Sequence, residues 1–508
     1  MADKRPNDKL ILESATAGLS VRFMIGVLLY LALVKFAASF LMQPLGDEAY
    51  YWLWGQNLAL SYFDHPGLAG WLLGLTDAVF GTSLFGLRIA SVLTAVGSLW
   101  VLWAYAGRIL PQHQHRVFLF LTLMIAASPT LFVWSTLVYH DHLLIFVSLA
   151  AMYFFTCYLG DEAQNKAGSH SHLYLGAFFL GLAGLTKYSA VFMGLAIAIL
   201  VIGHPKLRHL LAKPHIYLAG TLTIAMQTPT LIWNLNKDFA SFGFHFNDRH
   251  GAQWLSEFNS DSFFNFVLVT LLLFGPFLVP PFVRLFRQST NADFFGVGIW
   301  LARLVTVMST GTFMFISLFS FTLWYWSDLS YILMLVMLPV LAMRKWLALS
   351  HIWFGVVVIS LVCANYTIVP IANVLGQRDI EAATVYGWHE IADFVEQAEQ
   401  KHKTDFVAAT RFQSASQLSF AMQRTDITAI EVRPSQFDIW EDRARIAGGT
   451  GLILQDEFGH MGETQKRFET LEKIGEFTVE RFGYELLTYE LYLGTNYKPR
   501  NTNLIADE

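Results

Sequence analysis

A series of apolar segments, each close to the thickness of a bilayer, most limits what this chain can fold into. Stretches at about 21–42, 84–107, 117–137, 142–160, 173–187, 188–203, 216–233, 263–283, 304–325, 329–343 and 349–372 are poor in charge. About 20 consecutive apolar residues in a helix match the ~30 Å hydrocarbon core. Lipid offers no partner to a backbone N–H or C=O, so such segments must be helical. With 54% hydrophobic and 14% charged residues, the chain reads as an α-helical polytopic membrane protein of about 11–13 crossings, not a water-soluble globule. The first apolar run follows Lys4, Arg5 and Lys9 and exceeds the length of a signal-peptide core, so it is expected to stay as the first crossing.

Basic residues divide between alternate connections. Arg108, Arg116, Lys166, Lys206, Arg208, Lys213, Arg284, Arg287, Arg344 and Lys345 fall on one set, and only Lys237 and Arg249 on 43–83, 138–141 and 234–262. The positive-inside rule then puts the N-terminal tail, 1–20, in the cytoplasm. The bundle is expected to run over 21–373 with a first external loop at about 43–83, and 374–508 to lie on that same outer side. In that last region charge becomes frequent and apolar runs shorten. Tyr386 to Glu399 has helical spacing, while Phe406–Ala409, Ile427–Val432, Gly451–Leu454 and Tyr484–Leu493 read as strands, which predicts a small soluble α/β domain. A net charge of −5 with scattered basic residues gives no nucleic-acid footprint. Cys157 and Cys363 both sit in apolar runs, so neither a disulfide framework nor a thiolate metal site is expected.

Ionisable residues at the outer membrane boundary are the candidates for chemistry, because such groups are costly there. Asp47 and Glu48 lead the loop, followed by Tyr50, Tyr51 and Trp52, then Tyr62-Phe63-Asp64-His65-Pro66. A first-turn acid also complements a helix dipole, and aromatic residues also form interfacial belts. Asp141 stands between His140 and His142 at another outer boundary. Imidazole and carboxylate suit zinc, but residues two apart do not share a helix face, so no metal is assigned and a divalent ion is left as an alternative. Lys187 interrupts two apolar runs. It reads either as a lysine snorkelling to the interface, tolerant of methionine, or as a cation for an anionic head group. Arg88 and Arg249 are further cations of that kind.

Together these residues resemble a known family. Asp47-Glu48-Ala49-Tyr50-Tyr51, Tyr62-Phe63-Asp64-His65-Pro66, Phe85-Gly86-Leu87-Arg88, Asp141, Gly184-Leu185-Thr186-Lys187 and Pro229-Thr230-Leu231-Ile232-Trp233-Asn234 are similar to the membrane glycosyltransferases related to protein O-mannosyltransferases and the lipid A aminoarabinose transferase. The resemblance implies the GT-C fold and a polyprenyl-phosphate sugar donor. It implies an acceptor hydroxyl on lipid A, lipopolysaccharide core or protein. It also implies that Asp47 is the base, with Asp64 and Lys187 beside the donor. Where relatives of the aminoarabinose type carry Glu-Lys before the proline, this chain carries Asp64-His65.

That chemistry suits the residues. Displacing a phosphate at an anomeric carbon needs a carboxylate base for the hydroxyl and a cation for the leaving group. One direct displacement inverts the centre, whereas retention needs a nucleophilic carboxylate. Asp47, Asp64 and Asp141 are therefore the expected catalytic acids, and Glu48, Tyr50, Tyr62, His65, Arg88, Lys187 and Arg249 the expected substrate contacts. A monophosphate leaving group can be neutralised by lysine or arginine, so no cofactor is required. A secondary transporter is the rival from another class, and its need for access from both faces fits poorly with charges gathered at one end.

Overall fold

The computed structural model describes residues 8–245, 258–377, 379–441 and 443–499. Arg249 lies outside them. Five helices among these residues are long and apolar enough to cross a membrane: Val21–Leu41, Leu84–Ile109, His140–Ala163, Phe294–Ser317 and Lys345–Thr367. A sixth crossing is counted if Ser260–Phe274 and the segment Pro276–Arg287, bent by 86° at Gly275, form one span.

The remaining apolar runs are helical but broken, and proline accounts for most breaks. The run at 117–137 becomes Gln114–Ala126 and Pro129–Trp134, that at 216–233 becomes Pro214–Ala225 and Thr228–Asn236, and that at 329–343 becomes Asp328–Leu335 and a short 3-10 turn at Leu338–Leu341 containing Pro339. Proline lacks the N–H that an interior turn needs but is well placed in a first turn. Hydropathy therefore found these segments, while the sequence breakers set their lengths. Lys187 itself separates His170–Thr186 from the helix Val191–Gly203.

The chain gathers into two compact units. The first combines residues up to Phe36 with Ser91–Ile232 and His245–Ser360; the second combines Ala37–Ala90, Trp233–Phe244 and the chain from Leu361 onward. In the first unit His140–Ala163 is almost wholly wrapped by its neighbours, so its residues are apolar on every side.

The second unit holds a five-stranded sheet, β1 (Phe406–Ala409), β2 (Thr428–Ala429), β3 (Gly451–Gln455), β4 (Thr470–Arg481) and β5 (Tyr484–Thr495), in the order β2-β1-β3-β5-β4. β1 runs parallel to β2 and β3, with Ala408 opposite Thr428 and Ile453; β5 is antiparallel to β3 and β4. Phe406, Ala408, Ile430, Ile453 and Phe468 form the core on one face. The expected strand at Ile427–Val432 shrinks to two residues. Strand β4 was hidden in the sequence because charge alternates along it (Glu472, Lys473, Glu476, Glu480), as suits an edge strand. Its hairpin to β5 turns on Phe482 and Gly483, both at positive φ, the geometry of a type I′ turn.

The segment read as the first external loop is itself structured. Gly46–Gln56 and Leu68–Phe80 are helices packed at a glycine contact, where a Cβ on Gly55 would meet the Gly74 backbone nitrogen at 2.6 Å. Helix Phe412–Met422 presses on the start of Gly46–Gln56 just as closely, since a Cβ on Gly46 would lie 2.4 Å from Cβ of Gln413.

Candidate active site

In the second unit the two leading acids have different fates, although adjacent in sequence. Glu48 is fully buried and takes a two-pronged contact from Arg88: Nε donates to Oε1 at 3.1 Å and Nη2 to Oε2 at 2.7 Å. The remaining Arg88 donors reach the carbonyls of Ala38, Ser39 and Met42 at 3.0, 2.9 and 2.8 Å, which satisfies the C-terminal end of the first long helix. Such bidentate, charge-assisted bonds are strong and directional. Both Glu48 and Arg88 are sealed from solvent with their polar atoms engaged, and their geometry fixes the entry to helix Gly46–Gln56. Asp47, one residue away in the first turn of that helix, stays partly exposed.

Asp64 lies at the tip of a tight turn closed by the Ser61–Pro66 bridge. Tyr50 donates its hydroxyl to Asp64 Oδ2 at 2.7 Å and accepts from the Gln436 backbone N–H at 2.8 Å. Burial, with the Asp64 charge and hydrogen bond beside it, holds the Tyr50 hydroxyl well above its usual pKa, so it serves as a donor. Tyr50 and Tyr62, expected to line a sugar site, are both buried. Tyr62 stacks on Trp54 at 4.3 Å and donates to the Trp54 carbonyl at 2.7 Å, while Tyr50 packs against Phe412 and Phe437. His65 is half-buried beside Asp64, and its carbonyl accepts from the Tyr62 N–H.

Sequence reasoning missed one cation here, Arg433. Its Nη2 donates to Asp64 Oδ1 at 2.9 Å, and its guanidinium lies over the rings of Phe244 and Phe412 at 5.0 and 5.3 Å. Burial pulls the Arg433 pKa down, but Asp64, Tyr50, Glu431 and Asp47 outweigh it and raise it above the ordinary value. Burial likewise lifts the neighbouring Glu431 carboxyl from 4.5 to about 7, against the Arg433 charge and the hydrogen bond from the Phe412 N–H. Both residues follow β2, a two-residue strand with no signal of a site in its flanks.

The first unit carries a second centre. Lys187 Nζ lies 2.8 Å from Asp141 Oδ1 with both side chains almost fully buried, and 5.2 Å from the Tyr325 ring centroid. Asp328, also buried, is an electrostatic neighbour of both and accepts from Thr130 at 3.1 Å. Sequence reading had overlooked it, although an acid beside an apolar run was a usable signal. His142 bonds Thr94 at 2.8 Å. Among the described residues no three His, Cys, Asp or Glu side chains are grouped to hold a metal ion. Gly184 and Tyr188, on either side of Lys187 in sequence, line an open groove of about 760 Å³ whose walls include Val191, Leu195, Ile202 and Ile224.

Residues 64–233 match the family model of dolichyl-phosphate-mannose-protein mannosyltransferase. The chain is 29% identical to lipid A galacturonosyltransferase RgtD of Rhizobium johnstonii over 197 residues, 38% of each protein. It is 40% identical to the undecaprenyl phosphate-alpha-4-amino-4-deoxy-L-arabinose arabinosyl transferase of Pseudomonas savastanoi over 58 residues, 11% of each. The matches thus span well under half the length of these curated relatives. In structure it resembles ArnT from Cupriavidus metallidurans bound to undecaprenyl phosphate, with a TM-score of 0.62 over 93% of this chain and 98% of that one, at 14% identity. The bundle with its small C-terminal sheet is the fold expected from the sequence.

Proposed function

We propose that this chain, which has the ArnT-like GT-C fold and the mannosyltransferase sequence block, transfers a sugar from a polyprenyl-phosphate donor to an acceptor hydroxyl at the outer face of a bacterial inner membrane. Lipid A or lipopolysaccharide core is the acceptor class, as the names of RgtD and the arabinosyl transferases suggest. The observation that carries the reading is the division of labour between Asp47 and Glu48. One is locked to Arg88, and the other is left partly open on the same rigid helix. A base must be positioned and accessible at once. Asp47 accepts the hydroxyl proton, and the acceptor oxygen attacks the anomeric carbon with inversion. Lys187 takes charge from the departing phosphate: only one of its three ammonium protons is bonded among the described residues, the one facing Asp141. The apolar groove flanking Lys187 takes the prenyl chain, and no cofactor or metal enters the scheme.

A protein acceptor is the second reading, supported by the description of the matching family model. The test is transfer by the purified chain in lipid nanodiscs, with prenyl-phosphate sugars as donors and lipid A, core oligosaccharide or secreted protein as acceptors, read by mass spectrometry. Sugar addition to lipid A or core is expected, and Asp47→Asn should lose ~10²-fold or more in turnover while keeping donor binding. Addition to protein alone would replace the acceptor, and near-normal turnover in Asp47→Asn would remove Asp47 as the base.

A further inference from the structure

The C-terminal part of the chain supplies a cluster of contacts to the segment bearing the acids. Residues 431–440 follow the carboxyl end of β2, which with β1 and β3 forms the parallel part of the sheet. In open α/β sheets the carboxyl ends of parallel strands are where binding residues gather. Here the loop from that edge meets the Ser61–Pro66 turn. Gln436 accepts from the Phe63 N–H at 2.8 Å and donates its own N–H to Tyr50, while Arg433 donates to Oδ1 of Asp64. Asp64 is therefore held on both carboxylate oxygens, by Tyr50 on one and Arg433 on the other. Two aromatic rings fix the guanidinium plane.

We propose that Arg433 is a positioning residue of the transfer reaction, setting the orientation of Asp64 and of the turn that carries it. The inference rests on the transferase reading above. Two features separate this role from a generic surface ion pair. Asp64 is almost completely buried, so its position is not averaged by solvent. The partner, although about half exposed, is an arginine whose guanidinium lies over two aromatic rings, a stacking that a lysine cannot copy. An exposed pair with neither feature contributes little.

The test uses the full-length protein in nanodiscs with Arg433→Met, Arg433→Lys, Asp64→Asn and the Arg433→Met/Asp64→Asn double variant. Turnover, KM and thermal midpoint are measured, with hydrogen exchange across 61–66. Arg433→Met is expected to lower kcat ~10–100-fold with KM nearly unchanged, as misplacement of a reacting group does. Arg433→Lys should recover part of the loss. The double variant should be no slower than Asp64→Asn, and exchange at Tyr62 and Phe63 should rise in Arg433→Met without a matching fall in thermal midpoint. Losses that multiply in the double variant would overturn the proposal, as would unchanged exchange in the turn. If the wild-type chain transfers no sugar, the transferase reading fails; the exchange result still decides whether Arg433 orders the turn.

Discussion

Replacing Lys187 by methionine separates two ways of reading a lysine at a membrane edge. From sequence alone it reads either as a snorkelling side chain, for which methionine, similar in length and apolar, should leave stability intact, or as a cation for an anionic head group. The structure gives it a buried partner, Asp141, at 2.8 Å. At an effective dielectric near 20 that separation corresponds to a gross attraction of about 6 kcal/mol, most of it offset by desolvation of the two charges. The single substitution removes the attraction and leaves the carboxylate buried without its partner, a situation that costs about 3–5 kcal/mol. At about 2 °C per kcal/mol for a large domain, the thermal midpoint should fall by roughly 6–10 °C. Lys187→Met/Asp141→Asn should regain most of this, since neither charge remains. The assay is a double-mutant cycle in detergent at constant lipid content, using Asp141→Asn as the other single variant. A midpoint for Lys187→Met within about 2 °C of wild type, or a double variant less stable than either single, would refute the claim that the pair contributes to stability.

Three further outcomes follow from the geometry. Gly220 lines the groove and has nothing within 4 Å of a built Cβ. Gly220→Leu should therefore hold or raise the thermal midpoint, helped by a helix-propensity gain of about 0.8 kcal/mol, while weakening binding of a long prenyl-phosphate donor more than of a short-chain analogue in a competition assay. Glu431 carries a folded-state pKa of about 7 against an ordinary 4.5, so the folded protein binds the extra proton between these values. Stability from this group is present below pH 4.5 and lost as pH rises to about 7, an amount on the order of 3 kcal/mol; Glu431→Gln should match wild type in thermal unfolding at pH 4.5 and exceed it at pH 8. Reporter fusions after Gly46, Asn236 and Arg378 should mark the outer compartment, and those after Pro111, Pro205 and Arg344 the inner one. A cytoplasmic signal after Arg378 would reverse the proposed topology.

What could be read from the chain in advance divides along physical lines. Segments whose environment is set by composition were visible, such as the apolar runs, strand β1 at Phe406–Ala409 and the amphipathic helix found at Trp388–His402. Partnerships across long separations were not. Nothing local in Asp47-Glu48 tells which acid a residue 40 positions later will lock in place. Arg433 is 369 residues from Asp64 and sits in an irregular loop, where a charged side chain carries no periodic signature. Asp328 differs, because an acid abutting an apolar run is costly and was detectable by the rule that found Asp141.

The close approach of Gly46 to Gln413 has a consequence for how the protein is made. Glycine is required at 46 because any side chain there would collide with the helix Phe412–Met422. Those two elements leave the ribosome far apart: at roughly 5–20 residues per second the second follows the first by about 20–70 s. For that interval the helix bearing Asp47 is synthesised but lacks its abutment, and the turn bearing Asp64 lacks Arg433. A nascent chain thus lacks these contacts until its last quarter has been made and folded. Folding of the C-terminal segment, more than formation of the early helices, then sets when these contacts are complete.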